Sequence, residues 1–202
     1  TLGGYSLDAK TIEASEKIIK RGRNEFHFPQ DEIVNHIEKE VNLIKKQHPN
    51  VKVSANVRST TPRPIIEVSN IDNLDIVEIN CHCRQDEILA IGCGQNMLKR
   101  DDLAEYIGDV VDNASCEVSV KIRANVDGID TLKIAKLIEN AGADYLHIDA
   151  MKAGSESYFH QLSAIEVSIP IPDLSAIHKA PIINIGQAKK TIIGLRILPF
   201  GL

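Results

Sequence analysis

The sequence predicts an α/β protein of the closed-barrel kind, a (β/α)8 TIM barrel formed as a single domain over residues 1–202. Three observations lead there. Short runs rich in Val and Ile alternate with amphipathic segments across short connections, the pattern of a parallel sheet built from right-handed βαβ units. Successive strands end on polar or reactive residues: Asn56, Asn80 with Cys83, Lys121 with Arg123, Asp149, and Asn184. In a barrel all such ends meet at one mouth, whereas an open doubly wound sheet gathers only those at its switch point. Finally, no glycine-rich dinucleotide fingerprint follows a first strand, which weakens the open alternative.

Length and charge set the outer bounds. A chain of 202 residues is long enough for a substantial core, and no apolar run in it is long enough to span a bilayer. A soluble protein with no membrane partner is expected. The net charge of −5 gives no global attraction for nucleic acid, although Lys17, Lys20, Arg21 and Arg23 form a local basic cluster. Such a helix end reads first as solvated surface. The four cysteines, Cys81, Cys83, Cys93 and Cys116, lack the spacing of a secreted disulfide scaffold, and no signal peptide precedes them. A reducing, cytoplasmic setting is the expectation.

In chain order, Thr1–Gly4 reads as the tail of a strand. Ser6 or Asp8 then caps a helix running to about Arg21, with Ile12 and Ile19 inward and Gly22 as its stop. A second helix starts near Pro29-Gln30-Asp31. Its apolar face is Ile33, Val34, Ile37, Val41 and Ile44, with Lys45 and Lys46 suiting its carboxyl end and His36 at a surface or boundary position. Strands follow at Val51–Val57, Ile76–Asn80, Val118–Ile122 and Tyr145–Ile148, with helices at Leu103–Val111 and Thr131–Asn140. Further strands are expected at Ala180–Gly186 and Gly194–Phe200. The stretch from Ser155 to Leu202 looks compressed and a full first strand looks absent, so the barrel is expected to be incomplete over this sequence.

The chemistry concentrates where the apolar run Ile76-Val77-Glu78-Ile79 breaks into Asn80-Cys81-His82-Cys83-Arg84, followed by Gly92-Cys93-Gly94. A buried strand that delivers reactive side chains to its carboxyl end is the arrangement α/β enzymes use. Cysteine suits proton transfer because its pKa lies near neutrality and responds to nearby charge, here from Arg84 or His82; as a mere packing residue it is a small buried hydrophobe. Asn80 otherwise caps the following turn. A lysine near the end of a buried strand, as Lys121 is, costs free energy unless it has a task, and Arg123 points to the same side two residues on. A rival reading makes Cys81, His82, Cys83 and Cys93 a zinc-binding module. Against it, the spacing is not a standard one and successive strand residues point in opposite directions. A barrel that only binds, without catalysis, is a third reading.

The strand end Ile79-Asn80-Cys81-His82-Cys83, the Gly92-Cys93-Gly94 turn with Leu98, the strand Val118–Arg123 and the turn Ala141-Gly142-Ala143-Asp144 resemble, in order and spacing, the tRNA-dihydrouridine synthases. They are more closely similar to the short archaeal relatives of that family, and distantly to dihydroorotate dehydrogenases. The resemblance implies an FMN enzyme on a (β/α)8 barrel, with NAD(P)H as electron donor, that reduces the carbon–carbon double bond of a uracil ring. Hydride goes to one carbon and a protein acid protonates its neighbour.

It also implies residue roles. Cys83 stands at the place of the catalytic acid, Lys121 at the flavin's pyrimidine end, Asn56 at a flavin-ring contact, and Asn80 against substrate or flavin. Asp149 falls where the family commonly has histidine, with His147 two residues earlier. The flavin phosphate is expected on backbone near Asn184 and Gly186. The family usually has glycine before the cysteine and proline after it, whereas here His82 and Arg84 flank Cys83. His82 is therefore a second candidate proton donor, and Arg84 joins Arg123 as a candidate substrate contact. The expected partner is tRNA, narrowly ahead of a small pyrimidine-like metabolite.

Overall fold

Five strands run parallel in the order in which the chain makes them. The computed structural model describes residues 1–29, 32–124 and 126–149, together with the backbone of one later strand, Glu166–Pro170. Its elements are β1 (Leu2–Ser6), α1 (Ala9–Lys20), α2 (Ile33–Gln47), β2 (Ser54–Arg58), α3 (Arg63–Ser69), β3 (Ile76–Cys81), α4 (Asp86–Ala90), α5 (Leu103–Asn113), β4 (Glu117–Arg123), α6 (Thr131–Asn140), β5 (Tyr145–Asp149) and β6 (Glu166–Pro170). Short 3-10 turns occupy Asn24–Phe26 and Gly94–Lys99. No helix among the described residues is long and apolar enough to cross a membrane.

The strand order is β1-β2-β3-β4-β5-β6 without reversal. A doubly wound sheet needs a reversal, because right-handed crossovers place helices on the second face only when the chain turns back. The described strands therefore wind in one sense, as a barrel wall does, and among the described residues that wall is not closed. Two expectations are corrected. The chain opens on a five-residue strand paired with β2, so a strand is present where one looked absent. And β6 joins β5 antiparallel, which departs from an all-parallel sheet. The strands expected at 180–186 and 194–200 lie outside the described residues.

One face of the sheet carries Ala55, Val57, Val77, Ile79, Cys81, Val118, Val120, Ile122 and Leu146. These pack with Ile37 and Val41 of α2, Ile65 and Val68 of α3, Leu103, Ile107 and Val110 of α5, and Ala135 and Ile138 of α6. Each such large aliphatic side chain, fully buried, stabilises the fold by about 1.5–3 kcal/mol. On α2, Val34 is exposed while Ile33, Ile37 and Val41 are buried, so the inward stripe is narrower than expected. On α1 the inward residues are Thr11, Ala14, Ser15 and Ile18. Ile12 and Ile19 are only partly buried, and Ile19 packs against a second, smaller cluster in which Ala14 and Ile18 of α1 meet Phe26, Cys83, Ile88 and Cys93. His36 contributes a ring contact to Tyr5 and Phe28 at the boundary.

Asp8 ties α1 to the sheet. Its carboxylate accepts from the Thr11 N–H at 2.8 Å, closing a capping box, and its other oxygen accepts from Ser59 Oγ at 2.9 Å, Thr60 Oγ1 at 2.7 Å and the Thr60 N–H. Burial pushes the carboxyl up, but these donors outweigh it and hold the group below its usual range. A depressed carboxylate stabilises above its unfolded pKa, and that stabilisation is lost as pH falls through the folded value. Asp8→Ala is expected to cost about 2 kcal/mol at neutral pH by urea unfolding. The cost should shrink below about pH 4; an undiminished cost there would count against this account.

Candidate active site

Strand geometry alternates side chains between the two faces of a sheet. With the helices on one face, the other carries Asn56 and Arg58 of β2, Glu78 and Asn80 of β3, Ser119, Lys121 and Arg123 of β4, and His147 and Asp149 of β5. All nine are less than a tenth exposed. The register stacks them in tiers: Asn56, Glu78 and Ser119 in the first; Asn80, Lys121 and His147 in the second; Arg123 and Asp149 at the carboxyl ends. Layering of this kind fills the interior of a barrel, here with polar groups instead of the usual branched aliphatic ones.

Glu78 is the hub of the lower tiers. Its carboxylate accepts from Asn56 Nδ2 at 2.8 Å and Ser119 Oγ at 3.1 Å, and pairs with His147 Nδ1 at 2.8 Å. Burial works to raise its pKa, but the His147 contact, the His147 and Lys121 charges and the Asn56 amide together carry it below the usual value. The network then climbs. Asn56 Oδ1 accepts from Asn80 Nδ2 at 2.7 Å, and Asn80 Oδ1 accepts from the backbone N–H of Cys83 at 3.1 Å and of His82 at 3.4 Å. A buried carboxylate thus sets, through two amides, the position of the loop that carries Cys83. Both ends of the Asn56 amide are engaged inside this network.

At the carboxyl ends, Arg123 Nη2 lies 2.9 Å from Asp149 Oδ2, and the Arg123 Nε–H points to the His82 carbonyl at 3.4 Å. His82 Nδ1 approaches the same Asp149 oxygen to 3.3 Å, out of line for a good hydrogen bond. Burial holds the His82 pKa down; Asp149 opposes this, while Lys121 and Arg123 reinforce it. His82 Nδ1 and Arg123 Nη1 are buried polar atoms without a hydrogen-bond partner among the described residues. Such groups cost free energy when left unpaired and mark a place where a bound molecule can satisfy them. Of the two residues at the place where the resemblance puts a histidine, His147 is taken up by Glu78 and Asp149 stands at the end of β5.

Cys83 meets the wall at Arg58. It sits in a small cluster with Ala14, Ile18, Phe26, Ile88 and Cys93, and its Sγ lies 4.0 Å from Arg58 Nη1. Neither Arg58 nor Glu78 is among the residues that sequence reasoning singles out, although period-two alternation of polar residues along β2 and β3 points to both. Gly94, at φ +60°, lies under this loop: a Cβ there would stand 2.2 Å from the Cys83 carbonyl oxygen, which accepts from the Gln95 N–H at 2.8 Å. Cys81 is on the helix-packed face with its Sγ 3.8 Å from Met97 Sδ, and burial pushes its thiol up. Cys93 is likewise pushed up to about 12 by burial. The geometry therefore separates Cys81 from Cys83, and among the described residues no three His, Cys, Asp or Glu side chains gather as a metal would require.

Arg84 is half-buried at the start of the segment leading to α4. Asn184 and Gly186 lie outside the described residues. The basic cluster is largely neutralised: Lys17 pairs with Glu13 at 2.8 Å, Arg21 with Glu87 at 2.7 Å and Arg23 with Glu25 at 2.5 Å.

Parallel strands wound in one sense, with polar side chains stacked toward their carboxyl ends and helices behind, define an α/β domain with a polar, buried inner wall. Residues 29–172 match the family model described as dihydrouridine synthase, and the chain belongs to that family. An uncharacterized protein of Methanocaldococcus jannaschii is 34% identical over 161 residues, an alignment covering 76% of this chain and 60% of the relative. The chain thus spans about 60% of the length of the curated relative it matches.

Proposed function

We propose that this chain is a single-domain, flavin-dependent reductase of the dihydrouridine-synthase type, acting on the carbon–carbon double bond of a uracil ring, and that its wall belongs to a closed (β/α)8 barrel. The observation that carries this reading is the buried wall in which Lys121 and Arg123 stand beside the Asn80-anchored loop of Cys83. FMN is the cofactor the family implies, and the donor set suits it. An electron-rich ring that becomes anionic on reduction calls for buried cations and donors, and Lys121 and the unsatisfied Nη1 of Arg123 are of that chemistry, while the Asn56 and Asn80 amides, engaged with Glu78 and with each other, shape the wall beside them. When bound, FMN supplies the hydride, replenished from NAD(P)H; Asn184 and Gly186 remain the candidates for its phosphate.

The protein's own part is to bind, to exclude water and to hold a proton. Cys83 holds that proton at Sγ, and the hydrogen bonds to its N–H and carbonyl fix its place on the loop. Arg123 and Asn80 orient the uracil carbonyls, with Arg84 at the rim, and Asp149 orients Arg123. General acids contribute roughly 10²–10⁴-fold, so Cys83→Ala is expected to lose about that factor in turnover while still binding flavin. His82→Ala should keep most of its turnover. The reverse pattern, with His82→Ala dead and Cys83→Ala active, would move the proton to His82.

The family's chemistry makes tRNA uridine the first substrate to test. One observation favours a small pyrimidine-like substrate instead: three of the four residues in the basic cluster are already ion-paired, which leaves less charge for phosphate contacts. Deleting the gene and measuring dihydrouridine in total tRNA alongside soluble metabolites decides between them. Unchanged dihydrouridine with an accumulating unsaturated pyrimidine would reject the tRNA reading.

A further inference from the structure

Arg58 is the most confined cation among the described residues. Its guanidinium donates to the Gly4 carbonyl, lies 3.3 Å through Nε from Ser6 Oγ, and stacks 4.7 Å over the ring of Phe26. Ser6 is in turn bonded to Ser15 of α1 at 2.7 Å. Segments from β1, α1 and the Asn24–Phe26 turn therefore converge on one side chain of β2. None of these partners carries a negative charge, and among the described residues no carboxylate pairs with Arg58. A buried cation without an anion is costly, and arginine does not escape by losing its proton. Burial works against the charge on Arg58, and the groups working for it are the thiols of Cys83 and then Cys93.

We infer that Arg58 is a positioning residue for Cys83, placed so that its guanidinium faces the negative charge left on Sγ when the thiol gives up its proton. This rests on the proposed role of Cys83 for its meaning in turnover, but not for its existence as a cation–sulfur pair. The contact of 4.0 Å between Nη1 and Sγ is direct, and both groups are less than a tenth exposed, so solvent screens it little. The sign is fixed by the chemistry: a neighbouring cation favours the thiolate, and the thiolate is the form that reacts with electrophiles. Other titratable or charged groups around the pair are the thiol of Cys93 on the loop after α4, Asp8 at the start of α1, Arg100 beyond Cys93, and His82 and Arg84 flanking Cys83 in the chain. Asp8 is engaged by Ser59 and Thr60, and Arg100 by Asp102, which leaves Arg58 as the charged group in contact with the sulfur.

Site-resolved alkylation by iodoacetamide, followed by peptide mapping across pH 6 to 10 on the full chain, reads the pair without requiring turnover. In the unaltered protein Cys83 should be labelled ahead of Cys81. In Arg58→Met its rate at neutral pH should fall about tenfold and the midpoint of the pH profile should move up, with Arg58→Lys in between. A loss of packing alone would raise access and speed labelling, the opposite direction. If Arg58→Met does not fold, Gly4→Ala decides. Gly4 has φ +100°, and a methyl there would stand 3.2 Å from Nη1, so the guanidinium must shift while the charge is kept. Equal labelling rates and midpoints in folded Arg58→Met and the unaltered protein, or in Gly4→Ala where it alone folds, would overturn the inference. Turnover that survives Cys83→Ala would instead overturn the proposed acid role and leave the labelling result standing.

Discussion

Replacing Glu78 by alanine is expected to destabilise the protein by about 3–5 kcal/mol, the range for breaking a buried, hydrogen-bonded ion pair by removing one partner. Asn56, Ser119 and His147 all lose an acceptor at once, in a wall with no water-exposed alternative. Against a typical domain stability of about 5–15 kcal/mol this leaves little margin, so reduced expression and a much lower urea midpoint are the expected readouts. Glu78→Gln keeps the volume and one acceptor, and should cost less. The pH dependence separates charge from shape. The folded pKa of Glu78 is depressed, so its contribution is complete above the unfolded value near 4.3 and disappears as pH falls through the folded value. The gap between Glu78→Gln and the unaltered protein should therefore narrow below about pH 4. A gap independent of pH would mean that the carboxylate charge contributes nothing to the wall.

Why Glu78 went unnoticed in the sequence, while Lys121 and Arg123 did not, shows what kind of information each part of the chain carries. Buried parallel strands usually read as continuous apolar runs, and Ile76-Val77-Glu78-Ile79 looks like such a run with one interruption. Set beside Asn56-Val57-Arg58, Ser119-Val120-Lys121-Ile122-Arg123 and His147-Ile148-Asp149, the interruption becomes one member of a period-two polar series shared by four neighbouring strands. That series was legible, but only with the register, which depends on which strands pair. The strands β2 to β5 and the helices α2, α5 and α6 were legible because propensity, period and capping agree in them. The helices α3 and α4 were not, being seven and five residues long, too short for a periodic signal. Arg58 was missed for another reason. It closes a strand expected to end at Val57, and its partners Gly4, Ser6 and Phe26 lie some 30 to 50 residues away, beyond any local pattern.

The wall also explains how a site can be polar and buried together. One amide, a hydroxyl and an imidazole satisfy Glu78, and that amide, through Asn80, carries its influence up to the backbone of His82 and Cys83. Among the described residues three buried side-chain atoms lack partners: His82 Nδ1 and Arg123 Nη1 at the carboxyl ends, and Ser54 Oγ at the opposite end of the sheet, where β2 begins. The satisfied groups hold shape, and the two unsatisfied atoms at the carboxyl ends mark where a ligand there gains most, which is the division of labour expected of a preorganised site.

Gly94→Ala is expected to abolish most of the proposed turnover and to cost more stability than Gly92→Ala, its control. Both glycines have positive φ, +60° and +75°, so each substitution carries the backbone penalty of a left-handed alanine, roughly 1–2 kcal/mol. They differ in what a methyl meets. At Gly92 nothing lies within 4 Å, whereas at Gly94 the Cβ would stand 2.2 Å from the Cys83 carbonyl oxygen, 3.0 Å from its carbonyl carbon and 3.1 Å from its Cβ. That is backbone, so it cannot swing aside as a flexible side chain would. The loop must move by about 1 Å, and displacements of that size at a reacting group cost on the order of 10²-fold in rate. The Gln95 N–H to Cys83 carbonyl bond, 2.8 Å long, would be strained by the same movement. Thermal unfolding should thus show a drop for both variants, larger for Gly94→Ala, and assays of the proposed uracil reduction on the folded, flavin-bound proteins a large loss for Gly94→Ala alone. Equal turnover in the two variants would mean that the position of the Cys83 loop does not limit the reaction.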